Sequence, residues 1–198
     1  MLRRYRLATD VGILAKLFGR KPRTRIADVA EGEHVIVRGR VTCRSPIVAP
    51  YTGRPCAYWR FEVHQLADSV ITSTLAVDFR LEDATGVADV IVEVCSFDVV
   101  VNYVEMSRAT NLSAKARSLF AQFGFPHEIA QIAQVNVGEA IVAVGEEIEV
   151  EGTATREPLP PDSQERGYRE GGGTKLVFSR GAVVRGLARD SFYIGARD

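Results

Sequence analysis

A chain of 198 residues that is 46% hydrophobic and 25% charged has the size and composition of one ordinary globular domain with short appendages. Its 25 basic and 25 acidic residues cancel, so no overall field draws it to nucleic acid or anionic lipid. Three widely spaced cysteines, Cys43, Cys56 and Cys95, exclude a disulfide framework and favour a reducing, cytoplasmic setting.

No apolar run approaches the roughly 20 residues that a spanning helix needs, and the N-terminus lacks the apolar core and cleavage site of a secretory signal. Residues 1 to 30 nonetheless hold eight Arg or Lys against two Asp, a local net charge of +6. Within them Leu7, Val11, Leu14, Leu17 and Phe18 fall on one face of a predicted amphipathic helix that Gly19 and Pro22 end. That stripe either lies on the inner face of a membrane as a peripheral contact or covers one end of the domain or a partner. The missing Trp and the interruption of the basic side by Asp10 favour the second. Residues 20 to 25 form a charged linker, residues 26 to 190 a single domain, and 191 to 198 a tail.

Strands begin near His34, where His34 to Val41 is rich in β-branched residues and Gly39 allows a bulge. From Cys56 to Leu66 the chain alternates, with Tyr58, Arg60, Glu62 and His64 on one face and Ala57, Trp59, Phe61 and Val63 on the other. Thr72 to Glu82 alternates again and is expected to place Leu75, Val77, Phe79 and Leu81 together. Asp83 to Gly86 reads as a hairpin turn, and Val87 to Val94 and Phe97 to Val104 as further strands.

The period then changes. Leu112, Ala116, Leu119, Phe120 and Phe123 recur at helical spacing, with Asn111 or Thr110 as the cap and Gly124 as the stop. Pro126 opens a second short helix bearing Ile129, Ile132 and Ala133. Val137 to Thr155 returns to strand, residues 156 to 174 read as a mobile Pro/Gly-rich loop or a hairpin excursion, and Lys175 to Leu187 closes the sheet. The expected fold is mainly β (α+β): an OB-like antiparallel β-barrel, named for its oligonucleotide- and oligosaccharide-binding type, with a two-helix insertion over 111 to 135 and the N-terminal helix. A β-sandwich with a helical cap is the alternative.

The stretch Ser45 to Arg60 carries the candidate site. Pro46, Pro50, Gly53 and Pro55 fix the backbone of an ordered loop that runs into an aromatic strand. Arg44, Pro50, Tyr51, Arg54, Tyr58 and Arg60 are the candidate binding surface. Cys56 is the single residue with nucleophilic potential, and would need His34 or His64 as its base. A cysteine opening a strand is more often a small buried apolar residue. Cys43, Cys56, His34 and His64 lack the paired spacing of a zinc site, and no phosphate loop or nucleophile elbow occurs, so neither metal, cofactor nor catalytic residue is expected.

A family resemblance appears at Ile26 to Gly32, Val35 to Val41, Ala49 to Tyr58, Leu81 to Val87 and Val144 to Gly152. Together these segments resemble the GIDE, or beside-a-membrane, domain of mitochondrial RING-type ubiquitin ligases and bacterial and archaeal membrane proteins. The resemblance implies a non-catalytic interaction or scaffolding role next to a membrane. It does not imply ligase activity, because a RING needs about eight Cys or His ligands and the chain has three of each. The expected partner is a protein. A single-stranded nucleic-acid binder using Tyr58 and Arg60, and a hydrolase using Cys56, are the alternatives.

Overall fold

The computed structural model describes residues 23–65, 70–107, 111–124, 135–158, 174–178 and 181–187. The predicted N-terminal helix with Leu7, Val11, Leu14, Leu17 and Phe18, the second inserted helix, and residues 159–173 of the predicted loop lie outside them.

The described chain is mainly β and contains a closed five-stranded barrel. Strands β1 (His34–Thr42), β2 (Ile47–Val48), β3 (Pro55–Gln65), β4 (Val70–Ala76), β5 (Phe79–Glu82), β6 (Val87–Val90), β7 (Ser96–Asp98) and β8 (Asn102–Ser107) precede helix α1 (Ala114–Gln122). Strands β9 (Val135–Ala143), β10 (Glu147–Pro158), β11 (Thr174–Phe178) and β12 (Val183–Gly186) follow it. The barrel runs β1-β5-β6-β11-β10 and closes where β10 pairs again with β1. Counting along the chain, its fourth strand lies beside its first and the third follows the second, which is Greek-key order. The barrel is not purely antiparallel, because β6 and β11 run parallel, as do β7 and β12. Those two pairs are joined by long crossings rather than hairpins, so nothing forces them antiparallel.

A second sheet is built on β3, which has β9 and then β8 on one edge and β2 and β4 on the other. One face of β3 and β9 belongs to the barrel core, through Ala57, Tyr58, Ala140 and Val142 beside Phe178, Leu81 and Ile148. Their other face carries Trp59, Phe61, Val63, Val135 and Val137 against Leu112, Ala116 and Leu119 of the helical segment. Two apolar cores therefore share one two-stranded wall.

Ala57 is placed differently from the sequence expectation. Cys56 pairs with Ala143 and Tyr58 with Val142, so Ala57 is the extra residue of a β-bulge and turns to the barrel side with Tyr58. The alternation of Thr72 to Glu82 also divides. Leu75 sits on β4 in the second sheet and is half exposed, whereas Phe79 and Leu81 are buried in the barrel. The chain turns a corner at Asp78, whose carboxylate accepts the Val92 N–H at 2.9 Å. Likewise Phe97 to Val104 is split between β7 and β8, in different sheets. Gly39 makes no bulge: β1 and β10 stay in register through it, and a Cβ there would lie 2.7 Å from the Glu82 carbonyl oxygen. Close approach of β5 is what requires glycine.

The Asp83 turn fastens the barrel to residues that precede it. Its carboxylate accepts Thr85 N–H and Oγ1 at 2.6 Å, Gly86 N–H at 2.9 Å and Ile26 N–H at 2.9 Å. Burial alone would raise this carboxyl, but those donors override it and hold it below the ordinary carboxylate range. A group lowered in this way contributes stability above its unfolded pKa of about 3.9 and loses it as pH falls through the folded value. Asp83→Ala is expected to lower the unfolding free energy by about 2–3 kcal/mol at pH 7, measured by urea denaturation. The difference from wild type should shrink below about pH 4, where wild type loses this term and the variant has none to lose.

Candidate functional site

The loop between β1 and β3 is held by its own backbone and by a buried acid. Ala49 N–H donates to Arg54 C=O and Gly53 N–H to Ala49 C=O, both at 2.9 Å, closing a tight turn in which Gly53 takes φ +70°. Beneath it, Glu139 of β9 is only 2% exposed. Its two carboxylate oxygens accept Tyr51 N–H at 2.7 Å and Thr52 N–H at 3.1 Å. Each oxygen of the buried carboxylate thus receives a main-chain donor, a charge-assisted arrangement stronger than a neutral one.

Tyr51 extends this anchorage to the helix. Its hydroxyl donates to Glu105 of β8 at 3.2 Å, and the same carboxylate accepts Ser113 N–H at 2.6 Å and Ser113 Oγ–H at 2.8 Å. Ser113 in turn caps α1, its Oγ accepting Ala116 N–H at 3.1 Å. The cap is therefore Ser113, not Asn111 or Thr110. Lys115 Nζ stands 5.4 Å from the centre of the Tyr51 ring, within cation–π range. Burial raises the phenol of Tyr51, with the neighbouring Glu105 and Glu139 adding to the effect against the opposing Ser113 bond.

The six residues expected to form one surface do not share a face. Arg44 and Arg54 are exposed and Pro50 is half-buried on the loop. Tyr51 packs on the core beneath α1. Tyr58 is buried on the opposite side of β3, its ring stacked on Phe97 with centroids 4.0 Å apart and planes 3° from parallel. Arg60 lies on Tyr58's side, where its guanidinium donates to Val99 C=O at 3.4 Å and its Nε lies 2.7 Å from Glu62 Oε1. Glu62 also meets His64 Nε2 at 2.8 Å. The alternating row Arg60, Glu62, His64 is real, but its members engage one another through Glu62.

Cys56 is fully buried, with its Sγ 3.6 Å from Ile47 C=O. Burial, reinforced by Glu139, pushes its thiol up to about 11. His64 stands eight residues along the same strand, ~26 Å away at strand rise, and is engaged with Glu62. His34 is exposed at the start of β1. Cys95 has its thiol pushed up to about 11 by burial and then by Asp78, with Sγ 3.0 Å from Ile91 C=O. Among the described residues no cluster of three His, Cys, Asp or Glu suits a metal ion, and no helix is long and apolar enough to cross a membrane. Cys56 should accordingly resist iodoacetamide at pH 8 in the folded chain and react fully in urea, read as alkylated peptide by mass spectrometry.

Glu139, Glu105 and Ser113 are the positions that residue-level reading passed over. An acid inside the otherwise apolar run Val137 to Val142 was the available signal, since a carboxylate there needs donors of its own. The run Glu147, Glu149, Glu151 on β10 is engaged by basic residues. Glu147 pairs with Arg38 and the buried Glu149 with Arg23, each at 2.7 Å, and Glu151 pairs with Arg185. Comparison of the chain with protein-family models, with curated proteins and with solved structures finds no match.

Proposed function

We propose that this chain is a non-catalytic interaction module of GIDE type, built on an OB-like barrel, whose β1–β3 loop presents Arg44, Pro50 and Arg54 to a protein partner. The observation that carries this reading is the buried Glu139 clamp on Tyr51 and Thr52. A loop pinned from below loses little freedom when a partner docks, so its exposed arginines are pre-organised. The Greek-key order and the short fifth strand between the third and the fourth are in keeping with the OB type. A protonated, enclosed Cys56 gives the hydrolase alternative little to work with. The burial of Tyr58 removes the ring that a stacking surface for single strands would have used. Peripheral membrane contact through residues 1–25 belongs to the same reading.

The test places a photo-cross-linking residue at Arg54 of the full chain in cells. The expected result is a discrete adduct that Glu139→Ala weakens; adducts no stronger than those from a probe at Glu157 would overturn the reading. Flotation of the full chain with anionic vesicles, lost in the double variant Leu14→Asp, Leu17→Asp, would support the membrane contact, and an unchanged result would remove it. A salt-sensitive mobility shift with an oligonucleotide pool would transfer the assignment to the nucleic-acid alternative.

A further inference from the structure

Long sheet edges invite other strands, and proteins usually blunt them with charge, proline or irregularity. The edges here differ in this respect. β8 carries Glu105 and a register shift between Tyr103 and Glu105, and β7 has only three residues, ending in Asp98. β4 spans seven residues, and the run Val70 to Val77 contains no charge, proline or glycine. Among the described residues it pairs with β3 alone.

The free side of β4 is also defined. Val77 N–H donates to Ala57 C=O at 2.9 Å, and the register with β3 is regular from Ala76 to Val70. By the alternation of antiparallel pairs, Leu75, Ser73 and Ile71 turn their main-chain groups toward β3. Those of Ala76, Thr74, Thr72 and Val70 point outward. Side chains follow the other alternation: Ile71 packs on the core beneath α1, and Leu75, on the same face, is 48% exposed.

We infer that β4 pairs antiparallel with β4 of a second copy of this chain about a two-fold axis through Ser73. The sequence Val70-Ile-Thr-Ser-Thr-Leu-Ala76 complements itself about that point. Thr72 meets the partner's Thr74 and Val70 meets the partner's Ala76, so every outward main-chain group of the strand gains a partner. Registers centred on Thr72 or Thr74 leave some of them unpaired. The half-exposed Leu75 comes to lie opposite the partner's Ile71, covering its apolar surface, while the threonines pair on the reverse face. The interface is isologous and joins the two second sheets into one. A strand pair covers less than the standard interface of about 800 Å² per partner, so the dimer belongs to the transient class and forms at high micromolar concentration.

Sedimentation equilibrium of the full chain from about 5 to 200 μM tests this. The expected result is a rise from the chain mass of 21.7 kDa toward twice that value. Thr74→Pro, which removes an outward N–H and no bond to β3, and Thr72→Lys, which charges the edge, should each hold the chain monomeric with unchanged near-ultraviolet circular dichroism. Ser73→Cys should cross-link to itself on mild oxidation, because paired residues at a non-hydrogen-bonded position have Cα atoms about 4.5 Å apart. A monomer throughout, a dimer that survives both Thr74→Pro and Thr72→Lys, or a dimer in which Ser73→Cys fails to cross-link would each overturn the assignment.

Discussion

Phe61→Ala is expected to lower the unfolding free energy by about 3–5 kcal/mol, a large share of the 5–15 kcal/mol that a domain of this size has. Phe61 is fully buried in the middle of β3, with Trp59 and Val63 to either side on the same face. Its ring centre lies 5.6 Å from that of Phe123, just past the end of α1, and Trp59 stands at the same distance from Phe123. Removing the ring leaves a cavity between sheet and helix that neither side can close, because β3 is fixed on both edges by β4 and β9. Urea denaturation followed by the fluorescence of the single tryptophan, Trp59, reads this core directly. Phe61→Leu should cost about 1.5 kcal/mol or less. A loss below about 1 kcal/mol for Phe61→Ala would mean that the helical segment does not pack on this face.

Glu139→Ala should free the loop. Hydrogen bonds to a charged group contribute about 1.5–3 kcal/mol each, and the carboxylate receives two from the main chain. Relief from burying a charge offsets part of the loss, leaving about 3 kcal/mol against local opening. That corresponds to roughly 100-fold faster exchange of the Tyr51 and Thr52 amide hydrogens, measured by hydrogen exchange. Glu139→Gln keeps one acceptor oxygen and turns an amide donor toward the other N–H, so its exchange rates should fall between the two. Equal rates in all three proteins would mean that the loop is held by its own turn alone.

The sequence makes the classes of element visible and hides their partners. Alternation in Cys56 to Leu66 is strong because one face of β3 packs Trp59, Phe61 and Val63 under the helical segment, while beyond Tyr58 the other carries the polar row Arg60, Glu62 and His64. The same signal misleads from Thr72 to Glu82, where Leu75 and Phe79 keep one period across a corner that moves the chain between sheets. The turn at Asp83 to Gly86 was legible because its chemistry is local: the acid and its donors are neighbours in sequence, with Ile26 the one distant partner. The loop anchor was not, because Glu139 lies 88 residues from Tyr51 and only the closed register of β3 on β9 brings them together. For the same reason Tyr58 looked available as a surface ring. Alternation places it with Arg60 but does not reveal that the barrel closes over that end of the strand. Parallel pairing of β6 with β11 depends on two crossings of the chain, which carry no short-range signature.

The surplus residue at Ala57 marks the one point in this ribbon where the gene can lose a codon without turning its neighbours over. Deleting that codon would set Cys56 directly before Tyr58 and restore plain alternation, leaving Cys56 and every downstream β3 side chain on the side each now occupies. Removing any other single codon of this ribbon would turn the residues on one side of the gap to the opposite face, whereas length changes in the connections around it remain cheap. The helix-bearing half cannot be shed or borrowed as a cassette, since cutting it away would also unroof the cylinder on the far side.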